Sequence, residues 1–129
     1  MDQELKAIAS EGTNFAALTT RFTDGSMQCQ VMWVDADEEH ILINTEVHRA
    51  KFRNVENDPV VTVLIWELTD PYRYIEVRGK VAETVRGPSA RAHIDRLAQR
   101  YTGRSFADES ITSERVLLKI SPEKVIRYS

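Results

Sequence analysis

His48-Arg49-Ala50-Lys51-Phe52-Arg53 is the densest basic cluster in a chain whose net charge is −3. It falls where an extended segment gives way to helix-like spacing. The free amides and the dipole of a helix start favour an anion, and Arg and Lys side chains there complete its coordination. Arg49 and Arg53 lie four apart and share a face, whereas Lys51 points elsewhere unless the first turn is irregular. The competing reading is a solvated helix face balanced by Glu46, Glu56 and Asp58, and composition alone favours that one.

Other residue types give less. His40, His48 and His93 have no ligand-like spacing with one another or with Cys29, so no metal site is expected. No nucleophile elbow or triad pattern is visible, and no catalytic residue is assigned. Trp33 and Trp66 are able to stack on a planar ring, although a strand tryptophan is more often core. Tyr72, Arg73 and Tyr74 open a long strand beside a turn, as surface residues or as contacts at a rim. Cys29, the sole cysteine, sits in an alternating apolar segment and reads as a buried, inert thiol.

The elements that must hold these residues follow from periodicity. Asp2 caps a helix carrying Leu5, Ile8 and Ala9, which Gly12 ends. Residues 14–22 and 27–34 read as strands joined by an Asp24-Gly25 hairpin turn, with Met27, Cys29, Val31 and Trp33 on one face and Gln28 and Gln30 on the other. An acidic turn at 35–39 leads to a third strand, 40–45, completing an expected three-stranded meander. Helical spacing over 46–57 stops at Asn57-Asp58-Pro59. The β-branched run 60–66 reads as a strand buried on both faces, and 72–85 is the longest strand signal. Gly87-Pro88 opens a helix striped by Ala90, Ile94, Leu97, Ala98 and Tyr101, ending at Thr102-Gly103. After a polar stretch holding Phe106 and Ile111, two strands, 115–120 and 124–128, flank Ser121-Pro122-Glu123.

Seven mostly alternating strands with few helices predict a mostly β fold, an antiparallel β-barrel with flanking helices, in a single domain spanning 1–129. No Gly-x-Gly-x-x-Gly turn follows the first strand, which argues against a Rossmann site. The 129 residues suffice for one core, and 42% hydrophobic with 29% charged residues is an ordinary globular composition. The negative charge gives no long-range attraction to nucleic acid. The absence of a signal-peptide pattern, the unpaired thiol and the shortness of the 60–66 run lead to the expectation of a cytoplasmic protein that does not engage a membrane.

Taken whole, the pattern resembles the pyridoxamine-phosphate-oxidase-like split β-barrel superfamily, and within it the small deazaflavin oxidoreductases that use coenzyme F420. The resemblance rests on the Asp-Gly hairpin and on Ile41 to Pro59, above all Arg49-Ala50-Lys51-x-x-Asn54 ending in Asp58-Pro59. Glu76 to Val81 and Arg100-Tyr101-Thr102-Gly103 add to it. It implies a homodimer with cofactor sites at the subunit interface. By position, Arg49, Ala50 and Lys51 would hold the cofactor phosphate, and Asn44 and Thr45 would lie along its ribityl-like chain and ring. Gln30, Val31, Met32 and Trp33 would line the ring largely through backbone, while Tyr72, Arg73 and Tyr74 would approach from the dimer-related side. The further basic residues of relatives that oxidise pyridoxamine phosphate have no matching set here. The implied activity is therefore hydride transfer from reduced coenzyme F420 to a small unsaturated or quinone-like acceptor. The alternatives are an FMN-dependent oxidoreductase on the same fold and a non-catalytic flavin-, deazaflavin- or haem-binding protein.

Overall fold

The computed structural model describes residues 1–128. Asp2 caps α1 (Gln3–Ser10) by accepting the Leu5 amide at 2.9 Å, and Leu5, Ile8 and Ala9 are buried. β1 (Phe15–Arg21) and β2 (Met27–Trp33) form the expected hairpin, in register from Phe15 opposite Trp33 to Arg21 opposite Met27. After a two-residue strand β3 (Asp35–Ala36) come β4 (Ile41–Glu46) and α2 (Ala50–Asn57). β5 (Val60–Glu67), β6 (Asp70–Arg86) and α3 (Pro88–Thr102) follow. A short 3-10 turn (Asp108–Ser110) then leads to β7 (Arg115–Tyr128). Gly103 closes α3 in the left-handed conformation, its amide bonded to the Gln99 carbonyl.

The seven strands form one curled antiparallel sheet in the order β2-β1-β5-β6-β7-β4-β3. Two expectations about strand arrangement differ from this topology. The meander does not form: β4 pairs with β7, from Ile41 opposite Ile120 to Glu46 opposite Arg115, and not with β2. A hydrophobic pattern does not show which strand lies alongside, so the pairing of residues 41–46 with 115–120 is invisible to it. The last two strands are one continuous strand, because Pro122 sits in an irregularity opposite Gly79 rather than in a turn. A Cβ on Gly79 would overlap the Ser121 carbonyl oxygen, so the two chains meet this closely only because residue 79 is glycine.

The concave face is filled by Leu18, Ile41, Ile43, Val63, Ile65, Val77, Leu118 and Ile120, closed by α1 and by Phe52 and Val55 of α2. α3 packs on the other side of β4 and β7 through Ala90, Leu42 and Leu117. β4 is thus covered on both sides and β5 is not: Val61, Val63 and Ile65 are buried, whereas Val60, Thr62, Leu64 and Trp66 face outward. The expectation of a doubly buried β5 fails for this reason. β2 is likewise inverted, since Met27, Cys29 and Val31 lie on the exposed convex face, with Val31 64% accessible. Cys29 is therefore an exposed thiol, not a buried one. Among the described residues no helix is long and apolar enough to cross a membrane.

Candidate functional site

Because β2 and β4 do not pair, the sheet leaves a cleft between them. Its polar end, about 250 Å³, is lined by Gln30 and Val31 of β2, Asn44 and Thr45 of β4, Arg49 and Lys51 at the start of α2, and Arg115 at the start of β7. Its apolar end, about 320 Å³, adds Phe15, Met32, Trp33, Ile94, Leu97 and Phe106. Val31, Asn44 and Arg115 belong to both ends, so the two cavities are one site.

The polar end is built to take negative charge. Arg49 is the N-cap of α2 in extended conformation, no side chain caps the helix, and no acidic residue lies in its first turn. Ala50, at the first helical position, and Lys51 after it therefore present amides without intrahelical partners. The Lys51 amine titrates below its ordinary range, because it is desolvated and because the Arg49 and Arg115 guanidinium groups lie nearby. Arg115 is also held below its usual range, first by burial. The nearest counter-charge, Glu46, is already engaged. It is 1% exposed, accepts the Thr112 and Ser113 amides at 2.8 and 2.9 Å, and stands 3.7 Å from the Arg115 guanidinium. Burial opposes its ionisation, but those amides together with Arg115 and His48 outweigh burial and keep its carboxyl below the usual range. Three cations facing one small cavity with one occupied carboxylate leave room for an anion.

The apolar end is walled by aromatic rings. Trp33 stacks on Tyr101 with centroids 5.0 Å apart and planes 7° from parallel, and Phe106 meets Trp33 edge-on at 6.3 Å. The Tyr101 hydroxyl ties the strand ends together by accepting the Val34 amide at 3.2 Å and donating to the Asn14 carbonyl. Trp33 is thus a half-buried wall of the cleft rather than part of the barrel core.

Of the residues singled out from sequence, Gln30, Val31, Met32, Trp33, Asn44, Thr45, Arg49 and Lys51 converge on this cleft, with Ala50 beside it. Tyr72, Arg73 and Tyr74 do not join them within one chain. Tyr72 is 82% exposed, and Arg73 and Tyr74 line a separate groove of about 620 Å³ between α1 and the end of β7. Arg115, Phe106 and Phe15 were not legible as site residues. Arg115 precedes an ordinary apolar strand run, and only the β4–β7 pairing carries it beside Lys51 and Asn44.

The fold and this cleft define a split β-barrel protein, and comparison with known families agrees. The profile of the pyridoxamine 5'-phosphate oxidase family matches residues 1–128, and the chain belongs to that family. Among solved structures it is similar to an F420 reductase, with 29% identity over 93% of this chain and 94% of that one and a TM-score of 0.81. It is also similar to a conserved hypothetical protein from Mycobacterium tuberculosis, at 24% identity over 100% of this chain and 85% of that one, with a TM-score of 0.75. General Stress Protein 26 from Bacillus anthracis shares the fold at 22% identity, over 97% and 92% of the two chains, with a TM-score of 0.69. A comparison with curated proteins found no match. Membership in this family and the likeness to an F420 reductase support an oxidoreductase of flavin or deazaflavin type.

Proposed function

We propose that the protein is a coenzyme F420-dependent reductase. It would hold the cofactor phosphate at Arg49, Ala50 and Lys51 and pass a hydride to a small unsaturated or quinone-like acceptor. The observation that carries this reading is the convergence of Arg49, Lys51 and Arg115 on an uncapped helix start that opens directly into an aromatic-walled cavity. Such a site suits a ligand with a phosphate at one end and a planar ring at the other. The F420 reductase at 29% identity favours the deazaflavin, because the phosphate arm would serve FMN equally.

When bound, the reduced deazaflavin supplies a hydride from its C5. The chain supplies position and shielding. Arg49, Lys51 and the first amides of α2 would hold the phosphate, the β2 segment Gln30 to Trp33 would lie along the ring, and Thr45 and Asn44 would line the opposite wall. Trp33, Phe106, Ile94 and Leu97 would give the ring an apolar surround once it is bound, and no side chain is assigned as a general acid.

The convex face supports a homodimer. Across β2, β1 and β5 the register aligns Trp33, Phe15 and Trp66 in one row, the first two partly covered by Tyr101, and half-exposed Ala17 and Leu64 with exposed Val31 in the next. A contiguous apolar face of this kind calls for a partner. A second copy seated there would bring its own Tyr72, Arg73 and Tyr74 toward the cleft.

The test is titration of the full chain with reduced deazaflavin and, separately, with FMN. Removing two charge-assisted contacts, each worth roughly 1.5–3 kcal/mol, in an Arg49→Ala/Lys51→Ala variant is expected to weaken binding at least about 100-fold. Unchanged affinity in that variant would overturn the site. Protein that purifies with stoichiometric FMN would replace the deazaflavin with FMN in the same position.

A further inference from the structure

Arg115 reaches the site through a chain of side chains that neither the phosphate segment nor the aromatic wall requires. Asp35, ahead of β4, accepts from His93 Nε2 at 3.0 Å and is also paired with the Arg100 guanidinium at 3.2 Å. His93 is 1% exposed, and its Nδ1 lies 3.0 Å from Asn44 Nδ2, which also donates to the Ala90 carbonyl at 2.8 Å. Asn44 Oδ1 then accepts from Arg115 Nε at 2.9 Å. Each partner leaves the next a single orientation. With Nε2 donating to a carboxylate, Nδ1 is the acceptor, both Asn44 amide hydrogens are taken, and only its oxygen is left to face Arg115.

The far end of this chain is open. Arg115 is 9% exposed, its Cζ stands 5.1 Å from the Phe106 ring centroid, and among the described residues its two Nη groups donate no hydrogen bond. Nη1 stands 3.7 Å from Glu46, too far for a hydrogen bond. The arginine is thus held by its Nε and its flat face, and it lines the cavity shared with Arg49 and Lys51. Because the Nη groups are not sealed in the fold, water or a bound anion can occupy their edge.

We infer that Arg115 is the third arm of the anion site, binding a phosphate oxygen through its Nη edge. His93 is the positioning residue that aims it, acting through Asn44. This deepens the proposed function and rests on its phosphate reading. It also gives Asn44 a role other than direct ribityl contact, because three of its four hydrogen-bonding capacities are already committed inside the protein.

The experiment uses the full chain with inorganic phosphate as probe, followed by 31P line broadening, and compares FMN with riboflavin, which lacks the phosphate. Arg115→Met is expected to weaken phosphate binding about tenfold and to shrink the preference for FMN over riboflavin by the same factor. His93→Ala is expected to weaken phosphate several-fold with riboflavin affinity unchanged. His93→Gln, which again offers a donor to Asp35 and an acceptor to Asn44, is expected to restore most of the loss. Should Arg115→Met fold poorly, Arg115→Lys serves: it keeps the charge, loses the Asn44 bond, and becomes insensitive to His93→Ala. If Arg49→Ala/Lys51→Ala leaves phosphate binding intact, the site reading itself fails. If that variant loses phosphate while the Arg115 and His93 variants keep it, only the present inference fails.

Discussion

Lys51 carries its charge where burial, Arg49 and Arg115 all resist it. A bound phosphate would reverse the local balance and raise the amine's affinity for its proton, so binding and protonation are linked. Affinity for phosphate is therefore expected to be full below the free protein's Lys51 value, which lies under the ordinary 10.5, and to fall as the pH rises through it. Titrating FMN binding across the alkaline range measures this, and Lys51→Ala should flatten the profile. Glu46 has the opposite sign. Its folded value lies below the ordinary 4.5, so the stability it contributes is present above that value and is lost as the pH falls through the folded one. Glu46→Gln removes the carboxylate charge that faces Arg115 and the Thr112 and Ser113 amides and is expected to lower stability by about 1–2 kcal/mol near neutrality. Urea midpoints taken at descending pH should show the difference from the unmodified chain closing in acid.

At the scale of elements, the site depends on β6 and β7 running as two long, bent strands rather than four short ones. The register of the pair slips between Arg78 and Gly79 and again between Val81 and Glu83. Those slips turn the strands from the β5 side of the sheet to the β4 side, as bulges do. Val60 to Lys80 pairing continues on one side, while Ile120 to Arg115 on the other carries the arginine to the cleft. Gly79→Ala places a methyl group on the Ser121 carbonyl and is expected to cost about 1–3 kcal/mol. A lower urea midpoint together with weaker phosphate binding would tie this bulge to the geometry of the site, whereas an unchanged midpoint would show that the strands part without cost.

For the whole molecule, the proposed homodimer would cover the part of the convex face that α3 leaves open and would account for the distance of Tyr72 to Tyr74 from the cleft. Leu64 lies in the middle of that face, between Ala17 and Glu76. Leu64→Arg is expected to convert a dimer to monomers in light scattering, since a buried unpaired charge at an interface costs several kcal/mol. Cofactor affinity should drop with it if the partner completes the site. A monomeric unmodified chain with full cofactor affinity would remove the dimer from the proposal.

The sequence by itself determined most of the elements and marked the basic segment that opens α2. α1 with its Asp2 cap, the β1–β2 hairpin and α3 between Pro88 and Gly103 were legible, because each is encoded by short-range periodicity and turn chemistry, whereas the helix expected over 46–57 begins only at Ala50. Only the tertiary structure decided which strands lie together, which face of β2 and β5 is inside, and that Pro122 marks a bulge. Alternation records that a strand has two faces without saying which one the core takes, and it says nothing of partners far away in the chain. His93 and Arg115 show the consequence. One read as an isolated histidine and the other as the first residue of a strand, and it took the pairing of β4 with β7 and the packing of α3 to join them through Asn44 at the edge of the site.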